Sequence, residues 1–558
     1  MSHATAIVTA PAAPEIDAFR ATAAAIRAEL AKAIVGQDEV VRHVLVGLVS
    51  NGHTLLEGVR SARAVAQDEP QQGGNLRLGF LISQIVTLDP QQLSQGIVAG
   101  SILPSIFSSL VQFDEQLGLI PDLAESWTVS EDGLAYSFTL REGLTFHNGD
   151  PLTSADVQYT YERTTNPDFA SPHANKLALV DSFEVPDERT VNLTLSKPFA
   201  PFLAVACTRG PGRALTPVPK RAVEELGDEQ FGITPVGSGP FMVVPESVNV
   251  GSGMQLAAFD GWYGGRPYLD TIEVQLIPEP SSGVSALEAG DIDVIDPAPA
   301  TLFEQLQGNP DLAVINGPST SWRGVVMNYA RPPWDNIDAR MAVSKAIDRQ
   351  AMVDTAFFGL AIPAVGAIAP AFGWAYLPPD QVENPQAFNL DEAKALAEKA
   401  GILGAKPVII SSEEIGQRPT EVLRTALVDL GLDPQVDFQQ AATFNERWQS
   451  GDYDMFLHGS VVDADPDDGH WNIFYSEGPW NTYGYKSEEA DKLLIATRET
   501  SDQAERARLF QELQGVLERD VAAAFAYHQN DLMAMSTAVQ GFTPIPEQRY
   551  YEKVWLNS

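Results

Sequence analysis

The chain contains a single cysteine, Cys207, among its 558 residues. One thiol cannot form an internal disulfide or a multi-cysteine metal site, so we expect a small buried apolar side chain. No apolar run approaches the roughly 18 residues that a membrane-spanning helix needs. Basic residues are also scarce, since 36 Lys and Arg oppose 74 Asp and Glu for a net charge of −38. That charge argues against nucleic-acid binding, because phosphates would be repelled nearly everywhere.

Several catalytic motifs are missing as well. The sequence has no Gly-x-Ser-x-Gly elbow, no His-Glu-x-x-His zinc pair and no Cys-x-x-Cys pair. We therefore predict that the protein is not an enzyme, with no cofactor and no bound metal. A hydrophobic content of 44% is that of an ordinary globular protein. The length is enough for several domains of about 150 residues each.

The first sixty residues carry one partial motif. Spacings of three and four between apolar residues predict a helix over 16–33, and a second helical pattern follows it. Residues 34–58, beginning "IVGQDEVV" and ending "GHTLLEG", resemble the start of MoxR-type AAA+ ATPases, in which this run leads into a phosphate loop. The chain contains no Gly-Lys dipeptide, so that loop is absent. We predict a helical stub over 1–60, and an ATPase-related regulator is the weaker functional alternative.

A linker over 61–72 follows the stub. It contains Ala64-Val65-Ala66, a small-x-small pattern like a signal-peptidase site, but the charged and apolar regions that should precede such a site are absent. Two alternatives account for the Ala64-Val65-Ala66 pattern: it is a remnant of an export signal, or it is a chance feature of an alanine-rich linker. As written, the chain is expected to stay in the cytoplasm.

From Gly73 onward, strand and helix patterns alternate. Tyr136, Phe138 and Leu140 alternate after the turn at Asp132-Gly133, which predicts a hairpin. Thr153 and Asp156 fit a capping box at a helix start, and Gly290 fits a left-handed helix end. "GSGP" at 237–240 gives the backbone conformational freedom without side-chain bulk, which is useful where strands cross between lobes.

The segment "LAESWTVSEDGLAYSFTLREGLTFHNGDPLTSADVQYTYER" resembles the signature region of extracytoplasmic solute-binding proteins of dipeptide, oligopeptide and nickel ABC importers. Four further stretches agree in order, at 235–243, 261–294, 336–359 and 501–535. The resemblance spans about 73–558. It implies an α/β, two-lobed periplasmic-binding-protein-like fold with an extra subdomain, after a short helical N-terminal segment. The expected domains are a first lobe with an inserted subdomain (73–310), a second lobe (311–530) and a C-terminal return to the first lobe (531–558).

The acidic loop "HGSVVDADPDDGHWNIF" offers the first candidate site. Asp463, Asp465 and Asp467 have the spacing of a calcium loop, but Pro466, Asp468 and Phe474 occupy positions that such a loop cannot accept. In peptide-binding relatives an aspartate in the matching loop holds the peptide's α-amino group, which points here to Asp463 behind Gly459, Ser460 and Val461. A capping or solvated role is the alternative. Asp465, Asp467 and Asp468 are expected in loop or cap positions, with the last two carboxylates in solvent.

Aromatic residues supply the second set of candidates. Trp322, Trp334, Trp471 and Trp480 are predicted in loops or near strand ends, where they could line a side-chain pocket or pack in a core. Asn328 is a candidate polar contact. His458 and His470 flank the acidic loop but could not alone make a metal site.

The resemblance implies the substrate-binding component of an ABC importer. Such a protein captures a small peptide between two lobes by hinge closure and delivers it to a membrane permease pair with its ATPase subunits. An oligosaccharide or a metal chelate is the alternative ligand. The resemblance further implies an extracytoplasmic location, and we expect a monomer.

Overall fold

The computed structural model describes residues 69–413, 415–460 and 465–557. The predictions for the stub and for most of the linker therefore fall outside the described residues, as do those for Val461 and Asp463.

The described chain alternates strands with helices. The strands are β1 (Asn75–Phe80), β2 (Val111–Phe113), β3 (Leu119–Pro121), β4 (Ala124–Val129), β5 (Ala135–Leu140), β6 (Val180–Glu184), β7 (Thr190–Leu195), β8 (Phe241–Val243), β9 (Gly253–Ala258), β10 (Thr271–Leu276), β11 (Val294–Asp296), β12 (Leu312–Pro318), β13 (Trp322–Met327), β14 (Ala361–Pro363), β15 (Val408–Ser412), β16 (Gln435–Gln439), β17 (Met455–Ser460), β18 (Ala524–Ser536), β19 (Val539–Gln540) and β20 (Trp555–Leu556).

The helices cover the faces of the sheets and link their strands. They are α1 (Gly96–Ser101), α2 (Leu103–Ile106), α3 (Ser154–Thr165), α4 (Phe202–Ala206), α5 (Lys220–Leu226), α6 (Asp228–Phe231), α7 (Pro280–Ala289), α8 (Phe303–Gly308), α9 (Ile337–Ala346), α10 (Arg349–Phe357), α11 (Leu390–Lys399), α12 (Gln417–Leu430), α13 (Ala441–Ser450), α14 (Pro466–Phe474), α15 (Glu488–Glu499) and α16 (Gln503–Asp520). Within the described ranges, no helix is long and apolar enough to cross a membrane.

Strand β18 joins the two halves of the main sheet. The strand order is β16-β15-β17-β13-β18-β11-β1-β10-β9-β8, and β12 and β14 also pair with β18. Residues 524–527 of β18 pair with β13, whereas residues 530–536 pair with β12. The chain therefore passes between the halves twice, once along β18 and once through residues 319–321, which connect β12 to β13. We call residues 319–321 and 528–531 the crossover segments.

Each half has its own core. The largest core surrounds β13, β17 and β18 and the helices between α9 and α16. Two others flank β1, β10 and β11 in the first half. A separate four-stranded antiparallel sheet, β4-β5-β7-β6, carries a further core with Phe138 and Val191 at its centre. The architecture is thus α/β with two lobes and an added subdomain, as predicted, while the exact lobe boundaries remain a prediction.

Local predictions hold where a short pattern determines the structure. Strands β4 and β5 form the expected hairpin, and Tyr136, Phe138 and Leu140 are buried on one face. The Thr153 capping box is present, and Gly290 ends α7 in the left-handed conformation.

The interpretation of "GSGP" is confirmed for the absence of side-chain bulk and wrong for backbone freedom. Neither Gly237 nor Gly239 has a positive φ, so backbone freedom is not what these positions need. A Cβ atom on Gly237 would lie 2.0 Å from the carbonyl oxygen of Ile106. Glycine is required here because two backbone segments of the first lobe approach closely.

Candidate functional site

A cavity of about 700 Å³ opens between the lobes. One wall comes from the end of β12 (315–318) and from residues 544–546, and another from residues 370–374 of the second lobe. The turn between β2 and β3 closes a third side. Trp374 packs against the second-lobe core, whereas Ile315 packs against the first-lobe core. A molecule held here would contact both lobes, which is the condition for coupling ligand binding to lobe closure.

The ionisable residues of the cavity wall are acidic. Among the described residues that line it, the charged side chains are Glu115 and Asp531, and none is a lysine or an arginine. Polar amides of Gln116, Asn316 and Gln503 complete the polar surface. Such a wall attracts a cationic group, because either carboxylate can accept a charge-assisted hydrogen bond.

Asp531 joins the cavity to a buried ion cluster in the first lobe. The Arg549 guanidinium donates to Asp531 at 2.6 and 3.0 Å and to Asp296 at 3.0 and 3.2 Å. Ser101 Oγ donates to Asp296 at 2.8 Å. Burial raises the pKa of Asp296, although the positive charge of Arg549 opposes that shift. The cluster fixes the carboxylate of Asp531 at the cavity edge.

The predicted anchor loop follows β17. Gly459 and Ser460 end this strand, and Val461 and Asp463 lie in the next four residues, outside the described part. A Cβ atom on Gly459 would lie 1.9 Å from the Trp322 carbonyl oxygen, because the two strands approach closely there. The Ser460 hydroxyl is buried and has no hydrogen-bond partner among the described residues. The ligand roles of these four residues remain predictions.

The other aspartates of the acidic run serve helix α14. Asp465 is the N-cap of this helix, since its side chain accepts from the Asp467 backbone N–H. It also forms a bidentate pair with Arg506 at 2.8 and 2.9 Å. Its cap role confirms the expectation.

The prediction that Asp467 lies in solvent is wrong. Its side chain is 2% exposed and accepts two hydrogen bonds of 2.8 Å from Arg498. Burial raises the pKa of Asp467, and the charge of Arg498 opposes this shift. Asp468 is partly exposed and accepts from Asn472 at 3.0 Å.

The predicted aromatic and amide contacts lie in the second lobe. Trp322 is 1% exposed, and its ring stacks on Phe474 at 5.3 Å. Asn328 is buried, and its amide donates to the carbonyl oxygens of Gly451 and Tyr453. Trp334 is likewise 1% exposed and belongs to the core of the second lobe. These three side chains are therefore buried within the lobe, and their predicted ligand roles gain no support from this geometry.

Trp471 and Trp480 are partly buried against the same core. The Trp471 ring stacks on Tyr475 at 4.0 Å, and the Arg498 guanidinium lies 3.4 Å from its centre. Trp480 donates its backbone N–H to Asn472. Their ligand contacts also remain predictions.

The residues that line the cavity were not foreseen from the sequence. Residues 370–374 and 544–546 include three prolines, which in the sequence indicate only that these segments are loops or turns. Asp531 stands in "HQND", which gives no local sign of the distant Arg549 and Asp296. Within the described residues, no group of three or more His, Cys, Asp or Glu side chains could hold a metal ion.

Comparison with known proteins identifies the family of the chain. Residues 118–482 match the family model described as bacterial extracellular solute-binding proteins, family 5 Middle. The chain belongs to this family. It is 28% identical to the glutathione-binding protein GsiB of Salmonella typhi over 479 residues, covering 83% of this chain and 91% of that protein. The match to the family gives no support to the MoxR-like interpretation of the N-terminal residues.

Solved structures of similar proteins share the two-lobed fold. The oligopeptide-binding protein AppA of Bacillus subtilis, in complex with a nonapeptide, superposes with a TM-score of 0.73 at 24% identity, covering 88% of this chain and all of that one. The periplasmic binding protein DppA of Helicobacter pylori, in complex with the peptide STSA, gives 0.74 at 24% identity over 88% of this chain and 100% of the other. The predicted periplasmic-binding-protein fold is confirmed.

Proposed function

We propose that this family 5 protein is the substrate-binding component of an ABC importer for small peptides. It captures the peptide between its lobes and delivers it to a permease pair that its ATPase subunits drive. The protein itself performs no chemistry on the peptide. It acts outside the cytoplasmic membrane, as a monomer.

The observation that carries this proposal is the cavity between the lobes. Its volume of about 700 Å³ lies within the range of about 300–1,000 Å³ that small-ligand sites occupy. Its walls combine apolar surface from Trp374 and Ile545 with a few amides and carboxylates. A short peptide needs this combination, because its backbone and ammonium are polar while its side chains are mostly apolar. The glutathione-binding and peptide-bound relatives agree with a ligand of this class.

The peptide ammonium has two candidate anchors. Asp463 is the one that the resemblance implies, and Glu115 with Asp531 on the cavity wall is the one that the described residues suggest. An ammonium that loses water on lobe closure must be compensated by a nearby anion. Loss of a buried partner costs about 3–5 kcal/mol, or roughly two to three and a half decades of affinity.

Two measurements test the proposal. Native mass spectrometry of the full chain after purification should show a bound peptide. Isothermal titration calorimetry should then show that STSA binds and that N-acetyl-STSA binds about a hundredfold more weakly. The proposal would be overturned if mass spectrometry found a bound sugar or nickel chelate instead of a peptide and calorimetry showed that neither peptide form binds.

The anchor is identified by comparing Asp463→Asn with Glu115→Gln and with Asp468→Asn as the control. The variant that removes the anchor should lose affinity for the free peptide, and it should lose little further on N-acetylation. If Asp463→Asn and Glu115→Gln both bind like wild type while Trp471→Ala abolishes binding, an uncharged solute is the better ligand.

A further inference from the structure

Glu115 stands in the turn between β2 and β3, on the wall of the cavity between the lobes. The turn has a fixed shape, because the Asp114 carboxylate accepts from the backbone N–H groups of Gln116 at 2.9 Å and Gly118 at 2.7 Å. The side chain of Glu115 is exposed. Among the described residues, no group forms an ion pair or a hydrogen bond with its carboxylate. Glu115 therefore presents an unneutralised negative charge to a molecule in the cavity.

Asp531 adds to the negative charge of this wall. Its carboxylate and that of Asp296 share one cation, since the Arg549 guanidinium donates to both. One positive charge against two carboxylates leaves an excess of negative charge at the cavity edge. Within the described residues, Asp531 Oδ1 accepts a single hydrogen bond, from Arg549, although a carboxylate oxygen has two acceptor positions. The wall can therefore accept from a cationic group without breaking the ion cluster.

An adjoining cavity has a different balance of charge. Its volume is about 710 Å³, and it shares Glu115 and Ile545 with the cavity between the lobes. Its charged lining residues in the described part of the chain are three cations and three carboxylates, namely Arg141, Arg266, Lys553, Asp114, Glu115 and Glu552. A carboxylate of a bound peptide therefore finds cations there. In the cavity between the lobes it would meet only negative charge, so that cavity suits the amino end of a peptide.

The chemistry of the amino end determines how a peptide fits this wall. In an α-linked peptide, the carbon that bears the ammonium bears no carboxylate. In a γ-glutamyl peptide such as glutathione, the same carbon bears both groups. An ammonium placed at Glu115 then brings a carboxylate close to the same wall, where like charges repel. A basic side chain near the amino end has the opposite effect, because its apolar stem can pack along Trp374 and Ile545 while its charge meets the wall.

We propose that Glu115 determines the ligand specificity of this cavity. It selects α-linked peptides, most strongly those with a lysine or arginine near the amino end, and it rejects γ-glutamyl peptides. This specificity rests on the proposed function, and of the two candidate anchors it assigns the peptide ammonium to the wall with Glu115. The chain then differs in ligand from the glutathione-binding relative GsiB, to which it is 28% identical.

Isothermal titration calorimetry of the full chain tests this specificity with two matched pairs of ligands. Glutathione and its α-linked isomer have the same atoms and net charge, and the α-linked isomer should bind at least about tenfold more tightly. The peptide SRSA should bind about fivefold more tightly than STSA. In Glu115→Gln, both preferences should fall to about threefold or less. Glu131→Gln is the matched control and should keep the wild-type preferences, because Glu131 is an exposed glutamate of the β4–β5 turn and lines neither cavity.

Salt supplies an independent readout. Since Glu115 is exposed, raising NaCl from about 0.05 M to about 0.5 M should reduce the preference for the α-linked isomer in wild type, and the salt effect should be smaller in Glu115→Gln. Equal binding of glutathione and its isomer by wild type would overturn the inference, and so would wild-type preferences in Glu115→Gln. If either result occurs while STSA binds, only the specificity is wrong. If none of the four ligands binds, the proposed function is wrong as well.

Discussion

At the scale of single residues, Asp467 and Asp468 are neighbours in the first turn of α14 with opposite environments. The carboxylate of Asp467 is buried beneath Arg498, whereas that of Asp468 is partly exposed. Asp467→Asn would remove the charge that neutralises a guanidinium whose side chain is 21% exposed. We expect a loss of unfolding free energy of about 2–3 kcal/mol, below the full range for a buried pair because water reaches Arg498.

Asp468→Asn provides the matched control for this prediction. It should change the free energy of unfolding by less than about 0.5 kcal/mol, as surface substitutions do. Urea denaturation of both variants measures the difference. Equal losses in the two variants would show that the ion pair with Arg498 contributes nothing beyond the negative charge that each aspartate places in the first turn of the helix.

The sequence predicts the local cap of this helix turn but not the ion pairs that its aspartates form with distant residues. An aspartate before Pro466 predicts an N-cap from local spacing alone, and Asp465 is one. The ion pairs depend on Arg498 and Arg506, which are 31 and 41 residues further along. Nothing in the spacing of the aspartates indicates such partners, so burial of Asp467 could not be foreseen.

At the scale of secondary structure elements, the pairing of β13 with β17 depends on Gly459. A side chain there would collide with the Trp322 carbonyl oxygen on the adjacent strand, and backbone cannot move away cheaply. We expect Gly459→Ala to lower the unfolding free energy by about 1–3 kcal/mol through overpacking. Gly308→Ala is the control, because no atom lies within 4 Å of its added Cβ atom. Thermal unfolding compares them, and a neutral Gly459→Ala would contradict the close approach.

The element types were predictable but their neighbours were not. "DYDMFLHGS" predicts a strand, and Met455–Ser460 is one. Its partners are β13, far earlier in the sequence, and β15. Strand order in a mixed sheet is determined by packing between distant segments. The resemblance to a family could therefore supply the fold, while the walls of the cavity required the structure.

At the scale of the whole molecule, histidines make the protein sensitive to acid. All five described histidines, His147, His173, His458, His470 and His528, have pKa values lowered by burial to about 3 or 4. Each remains neutral in the folded protein at pH 5 but takes up a proton when it is exposed by unfolding. Between about pH 4 and 6.5 the unfolded state thus binds more protons, and stability rises with pH.

Two glutamates act in the opposite sense. Burial raises the pKa of Glu518 to about 7 and that of Glu547 to about 8, so the folded state binds more protons there between about pH 4.5 and these values. Below pH 6.5 the two glutamates oppose the five histidines, so the histidines determine whether stability rises or falls with pH. Above pH 6.5 the histidines are neutral in both states and only the glutamates contribute, so the free energy of unfolding should decline slowly towards pH 8.

We therefore expect the free energy of unfolding of the full chain, measured by urea denaturation, to be highest near pH 6.5. It should fall by several kcal/mol at pH 5, since each histidine contributes up to about 1.4 kcal/mol per pH unit.

His458→Phe should reduce the slope of unfolding free energy against pH by about one proton, because burial lowers the pKa of His458 to about 3. A phenyl ring suits the site, since the ring at 458 packs among aromatic side chains. Phe456→Leu, which alters the ring in contact with His458, should lower stability equally at pH 5 and 7. A His458→Phe protein with the wild-type slope would mean that this histidine is protonated in the folded state.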